Sequence, residues 1–172
     1  ISGIIKEQEE NKKKILSVIQ EEGVFLLNND LERQKEFTDA EPRDLVINFS
    51  NNIVYLKTDN SERYKQYQKF SASSNFYLKV AARFAIFLAS LRIPNMRFPR
   101  FIFADNMEDK GIEIERAQNL QEILIKHVNE LNKEENYQII YTTSYITEKL
   151  KKSKYVVGQY YTKDNKSMKN VG

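Results

Sequence analysis

Three groups of residues in this chain carry side chains suited to phosphate chemistry. Ser71, Ser73 and Ser74 head a long apolar run, "SASSNFYLKVAARFAIFLASL". Asp105 closes the short apolar run "RFIFAD" and is followed by Asn106 and Glu108. Thr142, Thr143 and Ser144 close a second apolar run, "YQIIYTTS". A helix N-terminus rich in hydroxyls offers unpaired N–H groups and a partial positive charge to an anion. An aspartate at the end of a strand can hold Mg²⁺ beside a phosphate. Polar residues at the end of a neighbouring strand reach the same edge of a sheet. Each group also has a plainer use. One of the serines can be an ordinary N-cap, Asp105 a loop acid or cap, and "EDKGIEIER" a solvated turn.

These groups need elements to hold them. Apolar residues Phe76, Val80, Phe84, Phe87, Leu88 and Leu91 recur at spacings of three and four, with Ala81, Ala82, Ala85 and Ala89 between them. The pattern predicts a deeply buried helix that Pro94 ends. "PRFIFAD", 99–105, reads as a parallel strand covered on both faces. "EIERAQNLQEILIKHVNELNKEE" reads as an amphipathic helix, "YQIIYTTS" as a second strand, "ITEKLKKS" as a short helix and "KYVVGQYYT" as a last strand. Upstream, "DLVINFSNNIVYLKTD" predicts a hairpin turning at Asn51-Asn52, and 59–70 a polar connecting loop. Residues 4–22 predict a polar helix whose sparse apolar positions are Ile4, Ile5, Ile15, Val18 and Ile19, suited to a coiled-coil arm or an amphipathic surface helix. Gly23 is placed to end it, with a second helix from Val24 to Phe37. The fold class is mixed α/β, with 1–23 a helical arm and 24–172 a lobe.

Composition bounds the functions. The 172 residues have 41% hydrophobic and 30% charged residues, which fits a single globular domain with a core. A net charge of +3 is too small to imply nucleic acid by itself. No cysteine and one histidine, His127, exclude disulfides, thiolate metal sites and a multi-histidine centre. His127 reads as a surface or packed histidine. The lysines of 12–14 and 149–154 read as solvated faces, with DNA contact the alternative; Tyr64 and Tyr67 beside Lys65 and Lys69 read as core or as a base-stacking surface. No apolar run has the length of a membrane span and no secretory signal opens the chain, so a cytoplasmic protein with no membrane partner is expected. The chain opens on Ile1, as expected of a processed or excised piece.

In order, these motifs resemble the C-terminal half of the head of an ABC-type, structural-maintenance-of-chromosomes-like ATPase, the group that includes coiled-coil DNA-repair ATPases. "FSASSNFYLKVAARFAIFLASL" resembles its signature helix, "RFIFADNMEDKG" its Walker B strand and "YQIIYTTS" its switch strand. The resemblance covers most of the chain in order, and each motif alone is loose. It implies that Ser71, Ser73 and Ser74 meet ATP held by a second head, that Asp105 serves Mg²⁺, that Thr143 or Ser144 occupies the switch region, and that the heads pair as a homodimer. It implies an arm carrying the switch to a distant partner such as DNA.

The departures are specific. Ser71, Ala72, Ser73 and Ser74 stand where the family has Ser-Gly-Gly-Glu, Asn106 where it has the catalytic Glu, and no switch histidine is present. Glu108 is left to serve as the base, or Asn106 to orient the attacking water. With 5 glycines and no G-x-x-x-x-G-K-[ST], the chain has no P-loop. ATP would require an N-terminal P-loop lobe from the same head on another piece. A non-catalytic scaffold and a protein-binding α/β module unrelated to ATPases are the competing readings.

Overall fold

The computed structural model describes residues 2–31, 34–57, 70–131, 136–158, 161 and 164–165. It is mixed α/β, as the sequence predicts. Among the described residues there are two separate two-stranded sheets and five α-helices. They are α1 (Ser2–Asn28), α2 (Lys35–Thr38), α3 (Ala72–Arg92), α4 (Ile114–Leu131) and α5 (Glu148–Lys151). Strands β1 (Leu45–Asn48) and β2 (Ile53–Leu56) form an antiparallel hairpin, and β3 (Phe101–Asp105) and β4 (Gln138–Thr142) a parallel pair. Because a parallel pair needs a crossover, α4 fills the connection between β3 and β4.

Helix α1 differs from expectation in two ways. It does not stop at Gly23 but runs 27 residues, so the predicted break and the second helix from Val24 to Phe37 give way to one helix and the short α2. The reason is packing. A Cβ on Gly23 would sit 2.4 Å from Leu45 Cδ2 and 3.5 Å from the Cβ of Ala85, so the glycine lets α1 lie close to β1 and α3. Second, the helix divides at Ile15 rather than at residue 23. Residues 3–14 are exposed, Ile4 and Ile5 included, whereas Ile19, Val24, Leu26 and Leu27 are buried. The exposed stretch is therefore the N-terminal part of the helix, and most of the remainder packs on the core.

Helix α3 is the centre of that core, as its periodicity predicts. Val80, Ala81, Ala82, Phe84, Ala85, Phe87, Leu88, Ala89 and Leu91 are all buried. It ends at Arg92, just before Pro94. The hairpin forms where predicted, but its loop spans Phe49–Asn52 rather than two residues, since Asn48 pairs with Ile53. Asn48 Oδ1 accepts from the N–H groups of Ser50 and Asn51, and Asn52 takes a positive φ of 52°.

The parallel pair is not covered on both faces. Burial alternates along both strands: Ile102, Ala104, Ile139 and Tyr141 pack on the core, while Phe101, Phe103 and Ile140 stay exposed. Period-two alternation is the mark of a sheet with one solvated face. No strand forms over Lys154–Gly158; Val157 is 93% exposed and Gly158 turns the chain at φ 94°. The predicted 59–70 loop, with Tyr64 and Tyr67, lies outside the described residues except for Phe70.

Candidate functional site at the edge of the parallel pair

In-register pairing places Asp105 opposite Thr142, and the two share the exposed face of the sheet. Thr142 Oγ1 donates a hydrogen bond to Asp105 Oδ1. The chain then turns at Asn106, which adopts the left-handed region (φ 37°, ψ 63°) that asparagine tolerates better than most residues. Its N–H extends the ladder to the Thr142 carbonyl at 3.0 Å, and its Nδ2 donates to Asp109. The following 3₁₀ turn, Met107–Lys110, is pinned by the buried Met107 side chain and closed by Gly111 at φ 94°.

This turn delivers Glu108 back onto β4. Thr143 Oγ1 lies within hydrogen-bonding reach of Glu108 Oε1 and of the Tyr145 carbonyl, with one hydroxyl proton to give. Glu108 Oε2 and Asn106 Oδ1 are both buried without a hydrogen-bond partner. Unpaired acceptors at a buried edge cost free energy unless a proton donor or cation meets them. Asp105, Asn106, Glu108, Thr142 and Thr143 therefore form one cluster. Ser144 follows at the same strand end, exposed.

The serines of α3 divide their roles. Ser71 is the N-cap, its Oγ accepting from Ser74 N–H at 3.2 Å. Ser73 is half-buried and hydrogen-bonds Ser71 at 3.2 Å. Ser74 is 1% exposed and turned inward onto Arg116 Nη1 at 3.3 Å, so of the three serines expected to meet ATP it is the one whose hydroxyl is not open to solvent. Only Ser71 and Ser73, with the exposed Ala72 between them, face solvent at that end.

Arg116 is the residue the sequence reading missed. Fully buried at the start of α4, it pairs with Asp30 beyond the end of α1 and also reaches Ser73 at 3.5 Å. It lies on the stripe of Ala117, Leu120, Leu124 and Val128, and a charge on an apolar stripe is the signal that could have found it. His127 is packed, as its plainer reading has it: it stacks on Phe25 at 4.0 Å and hydrogen-bonds Glu22 at 2.6 Å.

Among the described residues no group of three or more His, Asp or Glu side chains could hold a metal by itself. A Mg²⁺ ion in a phosphate site needs less, since one or two protein carboxylates share such an ion with phosphates and water. Asp105 is an exposed carboxylate of that kind. Glu108, Asp109, Glu113 and Glu115 line an open depression beside it with Tyr145. Such an acidic surround accepts a triphosphate only together with a cation. No helix among the described residues is long and apolar enough to cross a membrane. Comparison with family models, with curated proteins and with solved structures returns no match.

Proposed function

We propose that this chain is the C-terminal lobe of a coiled-coil, SMC-like ATPase head of the ABC type, acting in the cytoplasm on DNA. The observation that carries the reading is the cluster at the edge of the parallel pair: Asp105, Glu108, Thr142 and Thr143 are brought together from two strand ends and one turn. A Walker B aspartate, a base and a switch residue require that juxtaposition. In this reading Asp105 serves Mg²⁺, which neutralises the charge of the transferred phosphoryl group. Glu108 accepts the proton of the attacking water, with Thr143 fixing its carboxylate. Ser71 and Ser73 meet the γ-phosphate of ATP bound by the second head.

Two further features support it. The exposed Phe101, Phe103 and Ile140 give the sheet an uncovered apolar face, which the N-terminal P-loop lobe of the same head would cover. The exposed N-terminal part of α1, in line with a helix rooted in the core, suits an arm that transmits movement to a partner. Asn106 favours a second reading, a head that binds nucleotide without hydrolysing it: it stands at the base position and its amide is engaged by Asp109.

The test uses the protein carrying both this chain and its P-loop lobe. Asp105→Ala should abolish Mg²⁺-dependent ATP hydrolysis; unchanged turnover would remove the cluster from the reaction. An absence of hydrolysis in the unsubstituted protein, with ATP still bound, selects the non-catalytic reading. The chain by itself should show no micromolar ATP binding by calorimetry, because it has no P-loop.

A further inference from the structure

A second pocket lies on the other side of Thr143. It is formed between α4, β4 and the segment that follows, and has a volume of about 200 Å³. Its walls are mostly apolar, including Leu124, Val128, Ile139, Ile146 and Leu150. Polar side chains interrupt them, Gln121 and Tyr141 among them. Gln121 is 5% exposed, and its Nε2 has no hydrogen-bond partner. The Tyr141 hydroxyl is buried close to the Gln121 side chain, and the two do not complete a well-formed hydrogen bond with each other. Burial pushes that phenol well above its ordinary range, with hydrogen bonding from the nearby Gln121 amide opposing the rise and the Glu108 charge adding to it, so the hydroxyl keeps its own proton to donate.

Unsatisfied buried donors are rare in folded proteins, and each demands a partner. An apolar cavity of about 150 Å³ already takes up benzene. Apolar walls with a few convergent polar groups are the usual make-up of a small-molecule site. We infer that this pocket binds a small, neutral, ring-sized molecule bearing one acceptor oxygen, which receives hydrogen bonds from Gln121 Nε2 and the Tyr141 hydroxyl. Thr143 lines the same pocket, so the occupant touches the residue that contacts Glu108. The inference does not depend on the ATPase reading.

The probes are acetophenone and cumene, which match in size and differ in the acceptor. Binding to the full chain is followed through the methyl NMR signals of Ile146 and Leu150. Acetophenone should give saturable shifts and bind roughly tenfold more tightly than cumene, the size expected from two hydrogen bonds. Gln121→Met combined with Tyr141→Phe should cancel that preference, and Val156→Trp at the pocket wall should block both probes. Tyr141→Phe alone, which keeps the ring, should reduce the preference should the double variant fold poorly. Absence of saturable shifts, equal affinity for the two probes, or a preference untouched by the substitutions would each overturn the assignment.

Discussion

Arg116 grips Asp30 at two points, Nε to Oδ1 at 2.9 Å and Nη2 to Oδ2 at 2.5 Å, with both side chains almost wholly out of water. The pair joins the end of α1 to the start of α4, and Ser74 and the Tyr77 ring complete the guanidinium's shell. Removing one partner leaves a buried charge uncompensated, at about 3–5 kcal/mol. Asp30→Asn and Arg116→Met should each lose about that much in urea unfolding, while Asp30→Leu with Arg116→Met should recover most of it. A single-variant loss under about 1 kcal/mol would mean that the pair behaves as a surface ion pair.

Gly23 sets a second test. By helix propensity alone, Gly23→Ala should stabilise α1 by about 1 kcal/mol. The added methyl would instead meet the buried Leu45 side chain, and overpacking typically costs about 1–3 kcal/mol. The expected outcome is a net loss in thermal or urea unfolding, relieved when Leu45→Ala is added. A stabilised Gly23→Ala would show that Leu45 yields freely.

Acid should loosen the packed half of α1. Glu22 is 2% exposed and accepts from Arg92 at 2.8 Å and His127 at 2.6 Å. Burial on its own would push the carboxyl up; the hydrogen bonds from His127 and Arg92 outweigh it and hold the carboxyl below its ordinary value of 4.5. A carboxyl depressed by folding adds stability that is complete above its ordinary value and disappears as pH falls through the lowered one. Unfolding free energy measured against pH should therefore fall more steeply below pH 4.5 in the unsubstituted chain than in Glu22→Gln. Identical acid limbs would contradict this.

Much of the fold was legible because local patterns agreed with tertiary ones. The spacing from Val80 to Leu91 specified the buried helix, and two apolar runs separated by an amphipathic helix specified the parallel pair. The cluster's members were legible too, because both runs end in polar residues. What escaped was long-range. Gly23 looks like a helix stop until Leu45, far along the chain, comes to lie against it. Phe101 and Phe103 read as doubly buried because apolar content does not say whether a second layer is present. The inward turn of Ser74 depended on Arg116, distant in sequence. Tyr155–Val157 has strand-like residues but pairs with no strand among the described residues.

Thr143 and Glu108 should act as a unit if Glu108 is the base. In the protein carrying the P-loop lobe, Glu108→Gln should slow turnover by about 10²–10⁴-fold with ATP binding retained. Thr143→Val removes only the hydroxyl near Glu108, so it should reduce kcat more than it changes KM. Combining the two substitutions should add little to Glu108→Gln alone. Additive losses would separate Thr143 from the base.

The most direct measurement is sedimentation velocity of the protein carrying the P-loop lobe, with Glu108→Gln slowing turnover, in the presence and absence of Mg²⁺-ATP. Ala72 is the position to change, because it is exposed between Ser71 and Ser73 and sits at the first turn of α3. An ATP-dependent dimer is predicted, lost in Ala72→Arg while the melting temperature stays within a few degrees. Sedimentation unchanged by ATP, or a dimer that Ala72→Arg leaves intact, would contradict a head that closes on nucleotide through the N-terminus of α3.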